Sequence, residues 1–405
     1  MCEFVTSLEL WSVGFHHIFY GVSAVGWPAG LCCSSASMQG GRSQIEVVLR
    51  VRPGDHVSDA FDIVQSGKAV TIRQTVTNVT DSAGKAEMLN FPCDDAFRNA
   101  SQETMFERVG RPAVDSVLDG YNGTVLCYGQ TGAGKSFTMV GSRDNYSQRG
   151  LIPRAIAHAF REAANRPEFE YTMKYSCLEI YNDTMHDLLS TLPSAEGRQE
   201  LTLSEQRGKV EVKGLMCPEV ANEQAALELV FTAEANRAVA QHKLNQTSSR
   251  SHVLYMLTVL RRSRVATGAM TISRLTLVDL AGSERLNKSA GVGDSSRQLA
   301  KEAMLINKSL SFLEQVVVAL GSRKTHVPHR SSKLTSVLRE SLGGNCKTVL
   351  VANVWPEERH MEETLSTLKF AARMGAISNT ASVNSQAEIS PAQALAASQA
   401  QVHTT

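Results

Sequence analysis

From Leu10 to Gly41 the chain contains no aspartate, glutamate, lysine or arginine. A charge-free stretch of that length raises the question of a membrane span. Gly14, Gly21, Gly26, Pro28 and Gly30 break it up, and Glu3 and Glu9 stand where a secretory leader carries basic residues. Residues 1–43 are therefore read as an N-terminal extension, expected to be unstructured, with translation from Met38 as the alternative; no membrane partner is expected. An excess of charge is also lacking: 41 Lys and Arg against 40 Asp and Glu leave a net +1. That balance gives no bulk affinity for nucleic acid, so any electrostatic partner must be met by a local patch. The eight cysteines form no Cys-x-x-Cys pair, which removes the usual zinc and disulfide frameworks and leaves a reduced, cytosolic compartment as the default. There is no repeat of fixed period and no heptad pattern, so no coiled coil is encoded. After Ser390 the chain is rich in Ala, Gln and Ser, a low-complexity tail over residues 391–405.

What is present is apolar material for a large core: 42% hydrophobic residues in a chain of 405. Ile45–Arg52 alternates into a proline stop and reads as a strand. A polar, Gly-containing stretch around Ser66–Lys85 suggests a small hairpin lobe. Thr104–Leu118 has helical spacing, with Pro112 as a local disturbance. GTVLCYGQ is a buried strand followed by a Gly-rich turn and a helix. Tyr171–Tyr181 and Ser251–Leu260 read as strands, and Arg261–Gly268 turns the second back into Thr271–Asp279 as an antiparallel pair. Ser296–Leu320 is a long helix, Leu334–Leu342 a shorter one, Lys347–Trp355 a strand and Glu357–Ala376 a closing helix. This alternation predicts an α/β fold, a central mixed β-sheet with helices on both faces and a small β lobe.

Three motifs carry chemistry. Gly129–Ser136 (GQTGAGKS) matches G-x-x-x-x-G-K-[ST] in full and sits after a strand and before a helix, the context the motif requires. Its backbone N–H groups can curl round a phosphate, Lys135 can supply a full charge to the β- and γ-phosphates, and the Ser136 hydroxyl can ligate Mg²⁺. Asp279–Glu284 (DLAGSE) follows a hydrophobic strand. An acid there holds Mg²⁺ through water, and Gly282 offers a bare N–H to the γ-phosphate. Asn245–His252 (NQTSSRSH) is dense in hydroxyls that can ligate the metal and orient water, and its arginine can grip a carboxylate. Taken singly, the second motif could be an ordinary strand-end turn and the third a plain serine-rich loop.

Together with RVRP at Arg50–Pro53, EIYND at Glu179–Asp183, INKSLSFLEQVVVAL at Ile306–Leu320 and HVPHRSSKLTSVLRESLGGN at His326–Asn345, these motifs resemble the kinesin superfamily, in order, over roughly Gln44–Ala376. LDGYNGT, RGLIPRAI, INKSLSFLEQ and EETLSTLKFAARM are most similar to the kinesin-9 subfamily, whose members work in cilia and flagella. The resemblance implies a P-loop NTPase motor fold over residues 44–376. The cofactors would be ATP and Mg²⁺, the partner microtubules, and the activity a microtubule-stimulated ATPase in the cytoplasm, on the cytoskeleton or in the axoneme. Gly129, Gln130, Thr131, Gly132, Ala133, Gly134 and Lys135 would hold the phosphates. Ser136 and Ser249 would ligate the metal, with Asp279 reaching it through water. Asn245, Ser248, Ser249 and Arg250 would form a first switch, and Gly282 and Glu284 would belong to a second. Arg250 and Glu284 would close a salt bridge over the γ-phosphate. Arg50, Arg52 and Pro53 would line the adenine side, and Phe137 would stack on the base or simply belong to the core.

Positive charge gathers at Arg323, Lys324, Arg330, Lys333 and Arg339, and again at Arg207, Lys209 and Lys213. Most such runs are solvated faces; the resemblance implies that these two face acidic tubulin. Two departures stand out. Ser136 replaces the commoner threonine, a chemically equivalent change. Ser331 and His329 stand where an aspartate and an aromatic are usual, which bears on tubulin contact. The loop Leu286–Ser295 and the helix after it would move. Residues 377–390 resemble the neck linker, with Ile377 entering a docking pocket, Asn384 latching the docked strand, and movement toward plus ends. A dimer partner or cargo would be met through regions outside this chain. Two other classes compete: an idle microtubule-binding module, which predicts damage at Lys135, Ser249, Arg250, Gly282 or Glu284, and a GTPase, which predicts an NKxD-type guanine reader. The sequence has neither the damage nor the reader.

Overall fold

In the computed structural model of the chain, the described residues are 41–387 less 55, 65, 77–84, 191–200, 207–208, 244–249, 266–268 and 285–293. Gly123–Tyr128 is buried at every residue, and a strand buried on both faces belongs inside a parallel sheet. Residues 275–279 pair with it in parallel on one side and residues 347–352 on the other. Glu46–Val51 and Asp95–Arg98 extend the parallel run. Beyond residues 275–279 the sheet turns antiparallel, as the Arg261–Gly268 turn predicts: Ala269–Asp279 pairs with His252–Ser263, which pairs with Phe169–Tyr181. A separate three-stranded sheet, Phe61–Ile63, Ala69–Val76 and Lys85–Pro92, is the small lobe.

Helices cover both faces. Leu313, Val316 and Val317 of Asp294–Gly321 and Leu365, Leu368 and Phe370 of Met361–Gly375 pack with Val47, Leu49, Leu126 and Leu350. On the other face Val114 and Val117, Ile152 and Ile156 of Leu151–Ala164, and Ala226 and Val230 of Glu223–Lys243 pack with Val125, Cys127, Tyr255 and Leu277. The disturbance expected at Pro112 takes a specific form. Gln102–Met105 and Arg111–Leu118 are joined by the π-turn Phe106–Gly110, and the Arg111 N–H reaches back to the Phe106 carbonyl. The wider turn absorbs the N–H that proline lacks. The helix expected over Leu334–Leu342 is shorter, Lys333–Val337, because Leu338 takes ψ near 6° and the chain continues as turns. Among the described residues no helix is long and apolar enough to cross a membrane.

The segment after the last helix lies along the sheet. Ser378–Thr380 pairs with Arg42–Gln44, so the described structure starts within the stretch read as an extension. Ile377 is buried in the core, and Ser385–Ala387 pairs with the start of Ala269–Asp279. Asn384 donates from its backbone N–H to the Gly120 carbonyl at 2.9 Å, and its side-chain oxygen accepts from Asn345 at 3.0 Å.

Asn379 is 1% exposed and fully engaged. Its amide nitrogen donates to the carbonyls of Ser341 (3.0 Å) and Cys346 (2.8 Å) and to the Thr348 hydroxyl (3.0 Å), while its oxygen accepts from the Gly343 N–H (2.8 Å). Each buried group orphaned by its loss costs about 1–3 kcal/mol. Asn379→Ala should therefore destabilise the fold by about 3 kcal/mol or more, read as a lower denaturant midpoint; an unchanged midpoint would mean the segment does not hold this position in solution.

Candidate active site

Parallel pairing puts four carboxyl ends on one edge of the sheet, those of Tyr128, Asp279, Val354 and Val51. Residues 129–136, residues 280–284, Trp355 and Arg52–Pro53 follow them. The crevice outside such ends is where open α/β sheets take ligands. The antiparallel register adds two more pieces, because Val253 stands opposite Asp279 and Glu179 opposite Val253. The NQTSSRSH motif thus ends, and EIYND begins, beside the other motifs. Buried side-chain atoms without a hydrogen-bond partner among the described residues also collect on this edge: Gln130 Oε1, Asp279 Oδ1, Asn353 Oδ1 and Trp355 Nε1. Buried polar groups in folded proteins are rarely left so, and a cluster of them fits a site that expects a ligand.

The loop at residues 129–136 owes its path to glycine. Gly134 holds φ +102°, and at Gly129 (φ +146°) a Cβ would strike the Asn353 carbonyl. The helix that follows, Lys135–Met139, has only five residues, so its dipole adds little and the charge rests on Lys135. Lys135 is 7% exposed, and its ammonium donates to the carbonyls of Gly129 (2.9 Å) and Gln130 (3.0 Å). Burial pushes its pKa below the ordinary lysine value, against Asp279 and Glu284, which pull it up. A buried cation whose hydrogen bonds, among the described residues, go to carbonyls is poised for an anion.

The Ser136 hydroxyl donates to Asp279 Oδ2 at 2.6 Å, and Asp279 is 1% exposed. This hydroxyl–carboxylate pair, with a spare carboxylate oxygen, fits a hard dication that takes its remaining ligands from phosphate and water. Beside Asp279 lies Arg237, which sequence reasoning missed. Its guanidinium is 3.5 Å from Asp279 Oδ2, 3.9 Å from Glu234 and 4.0 Å from Glu179. Burial opposes its charge, yet Tyr255, Asp279, Glu234 and Glu179 together drive its pKa above the usual arginine value. The Tyr255 hydroxyl donates to Glu234, so the cation has an organised anionic socket.

Glu284 reaches back to the phosphate loop: its carboxylate accepts from the Thr131 N–H at 2.8 Å and from the Thr131 hydroxyl. Any side chain at Gly282 would collide with both Thr131 and Glu284. One residue earlier, the Ala281 N–H donates to His252 Nδ1 at 3.1 Å, and His252 Nε2 is 2.8 Å from the Ser309 hydroxyl on Asp294–Gly321. With Nδ1 accepting, Nε2 carries the proton and donates. His252, the last residue of NQTSSRSH, therefore joins the edge to the long helix. Arg250 is half-buried. Asn245, Ser248, Ser249 and most of the 286–295 loop lie outside the described residues.

The outer rim differs from expectation at Arg50. Its guanidinium is buried and donates to Gln102 (3.0 Å), Thr138 (2.8 Å) and the Ala100 carbonyl (3.1 Å), so it braces the loop from behind while lying 5.4 Å from the Phe137 ring centroid. The reason is that the strand is buried on both faces from Val47 to Val51, and Arg50 shares its face with the fully buried Val48. Arg52 and Pro53 are exposed, and Phe137 is 46% exposed. Arg52 donates to the Gly132 carbonyl and lies 4.0 Å from the Trp355 ring centroid. Trp355 in turn packs at a 34° tilt against His360, 4.7 Å between ring centroids, and His360 Nδ1 is 3.0 Å from Gln130 Nε2. Neither Trp355 nor His360 belongs to a motif; only their place after the strand Lys347–Val354 signals them.

Far along the chain, Asn182 and Asp183 take φ 55° and 58° in the two-residue turn between Phe169–Tyr181 and Thr184–Asp187, a type I′ signature. Asp183 accepts from the Lys333 N–H at 2.7 Å and so anchors the basic segment. Arg323, Lys324, Arg330, Lys209 and Lys213 are exposed, and Lys333 and Arg339 are half-exposed. Arg207 lies outside the described residues.

Residues 50–377 match the kinesin motor domain. The mouse protein "Kinesin-like protein KIF9" is 42% identical over 354 residues, covering 85% of this chain and 44% of that protein. "Kinesin-like protein KLP1" of Chlamydomonas reinhardtii is 43% identical over 350 residues, again 85% of this chain and 44% of that protein. The chain thus spans less than half the length of these curated relatives. Among solved structures, that of a fast kinesin superposes with a TM-score of 0.74 at 39% identity, covering 86% of this chain and 96% of that one. A KIF14 fragment with AMP-PNP in complex with a microtubule superposes with a TM-score of 0.73 at 34% identity, covering 85% of this chain and 97% of that one.

Trp355→Ala should free Arg52 from the rim. A cation–π contact of this kind contributes about 0.5–2 kcal/mol, so, with an adenine base held at this rim, affinity for a fluorescent adenine nucleotide should fall about two- to thirtyfold, with Trp355→Phe in between. Acid should also weaken the fold. Burial, helped by Lys135 and Arg237, pushes the His252 pKa down to about 3 from 6.5. The folded chain binds fewer protons than the unfolded one over that interval. The stability tied to neutral His252 is therefore complete above about pH 6.5 and drains away as pH falls toward 3, by up to about 1.4 kcal/mol per pH unit. Denaturation midpoints between pH 7 and 4 should fall less steeply for His252→Gln than for the parent chain.

Proposed function

The chain belongs to the kinesin family, and on that premise we propose that it is a motor domain that binds ATP and hydrolyses it in response to microtubules, producing force or movement toward plus ends. The observation that carries this reading is the buried Lys135 beside the Ser136–Asp279 pair, under a loop clasped by Glu284. Lys135 would exchange the Gly129 and Gln130 carbonyls for the β- and γ-phosphates, and the backbone of residues 129–135 would line them. Mg²⁺, when bound, would neutralise phosphate charge, held by the Ser136 hydroxyl, by Ser249 and through water by Asp279, with Arg237 keeping a positive charge at the back of that carboxylate. Arg52, Phe137 and Trp355 would form the base side.

In this mechanism Glu284 changes partner. Its contact with Thr131 represents the open arrangement; on closure it would leave Thr131 for Arg250, while Ser248, Ser249 and Asn245 order the attacking water and the Gly282 N–H meets the γ-phosphate. The Ala281–His252–Ser309 chain would carry that movement to the long helix, and Ile377–Asn384 would dock as a neck linker. The basic segments would meet acidic tubulin, a contact weakened by salt. A ciliary or flagellar setting rests on the likeness to the kinesin-9 subfamily.

Lys135→Ala should abolish useful ATP binding. Glu284→Ala should bind Mg-ATP, hold microtubules tightly and hydrolyse about 100–1000-fold more slowly, since losing one preorganised polar group costs about 2.7–4 kcal/mol of barrier. Arg250→Ala should match it, and the double variant should be little worse. Microtubule-stimulated ATPase and co-sedimentation are the measurements. Additive losses would remove the Arg250–Glu284 pairing, and microtubule binding by the parent chain without stimulated turnover would make it an idle track-binding module.

A further inference from the structure

The two basic segments, far apart in sequence, are tied together by a single acid. Glu205 lies on Thr202–Gln206, which pairs with Lys209–Lys213 in a two-stranded hairpin. Its carboxylate accepts from Arg330 Nε at 3.1 Å and Nη2 at 2.6 Å, and from Arg339 Nη1, residues 125 and 134 positions away. Strand alternation puts Glu205 on the same side as Leu203, which packs against the core; Lys209 and Lys213 point to solvent from the facing strand. The acid is 28% exposed, whereas the Arg330 side chain that it holds is 82% exposed. Hydrogen bonds from Arg330 and then Arg339 keep the Glu205 carboxyl below the usual carboxylate range, so it remains an anion at neutral pH. Other acids stand at this surface too: Asp183, engaged by the Lys333 N–H, Glu211, exposed between Lys209 and Lys213, and Glu340 beside Arg339.

We propose that Glu205 is a built-in competitor for the acidic track: it gathers Arg330 and Arg339 onto one surface and withholds their charge until tubulin carboxylates take its place. This rests on reading the basic segments as the track-binding face. Exposed ion pairs are individually weak, so the two guanidinium groups can be surrendered to a denser acidic partner. The same pairing offers two forked donors at a fixed spacing, which favours a surface that presents paired carboxylates. Track affinity would then be set below what the cations alone allow, a useful setting for a protein that must release as well as bind.

Glu205→Gln keeps the side chain's size and its capacity to hydrogen-bond but removes the charge. In co-sedimentation at low ionic strength this variant should bind microtubules about two- to fivefold more tightly, as expected for one uncovered charge near an acidic face. The gain should shrink as salt rises, and basal ATP turnover without microtubules should stay unchanged. Placed on an Arg330→Ala, Arg339→Ala background, the same substitution should give no gain. Unchanged or weaker binding by Glu205→Gln overturns the proposal. The parallel variant Arg330→Ala with Lys333→Ala separates the two readings. If it loses affinity while Glu205→Gln gains none, only the role of Glu205 falls; if it too is without effect, the track-face reading falls with it.

Discussion

The parallel register of Gly123–Tyr128 is the constraint from which the site follows. Cys127 stands level with Asp279 on one side and Val351 on the other, and Val354 stands level with Val51. These strands are buried on both faces, so a slip of one residue in any of these pairings would exchange the side chains that the two differently packed faces receive. The hydrophobic faces therefore fix the register, and the register fixes which residues meet at the carboxyl edge. Arg52 and Trp355, about 300 positions apart in sequence, become neighbours on this account, and both reach the loop that follows Tyr128.

The charges at that edge are arranged around the same strands. Lys135, Arg237 and Asp279 are all buried, and buried ions are costly unless paired and hydrogen-bonded. Arg237 has its socket of Glu179, Glu234 and Asp279. Lys135 has carbonyls, and Asp279 keeps one oxygen without a hydrogen-bond partner among the described residues. The least satisfied groups are thus those turned toward the crevice, while those behind it are paired. An anionic ligand with its counter-ion would relieve the first set without disturbing the second. Such a ligand also stabilises the fold, because it binds the native chain alone.

Legibility in the sequence followed the range of the interactions. The phosphate loop, the DLAGSE turn and the alternation of strands and helices depend on neighbours within a few residues, and their outlines were readable from pattern and spacing. Arg237 was not readable: it sits in Glu223–Lys243, where apolar and polar residues follow no clear stripe, and two of its three acidic partners, Glu179 and Asp279, come from other stretches of chain. Trp355 is a lone aromatic after a strand, significant only through Arg52 and Gly132. Arg50 was legible in principle. Its place inside an apolar strand marks it as inward-facing, whereas the likeness of RVRP to the family motif assigns it to the rim. Glu205 has an ordinary strand position, and only the folded chain brings Arg330 and Arg339 to it.

The segment after Ile377 is attached in two short stretches, Ser378–Thr380 on Arg42–Gln44 and Ser385–Ala387 on the sheet, with Asn384 clasped between Gly120 and Asn345. Backbone ladders of this kind respond to load by direction. A pull along the strand stretches the bonds of a stretch together, whereas a pull away from the sheet peels them one at a time. Chain leaving after residue 387 therefore transmits tension well along the strand and poorly across it. Asn384, at the inner end of the outer stretch, is where peeling would stall. The attachment behaves as a directional fastener, firm against loads along its length and easily opened by loads that lift it sideways.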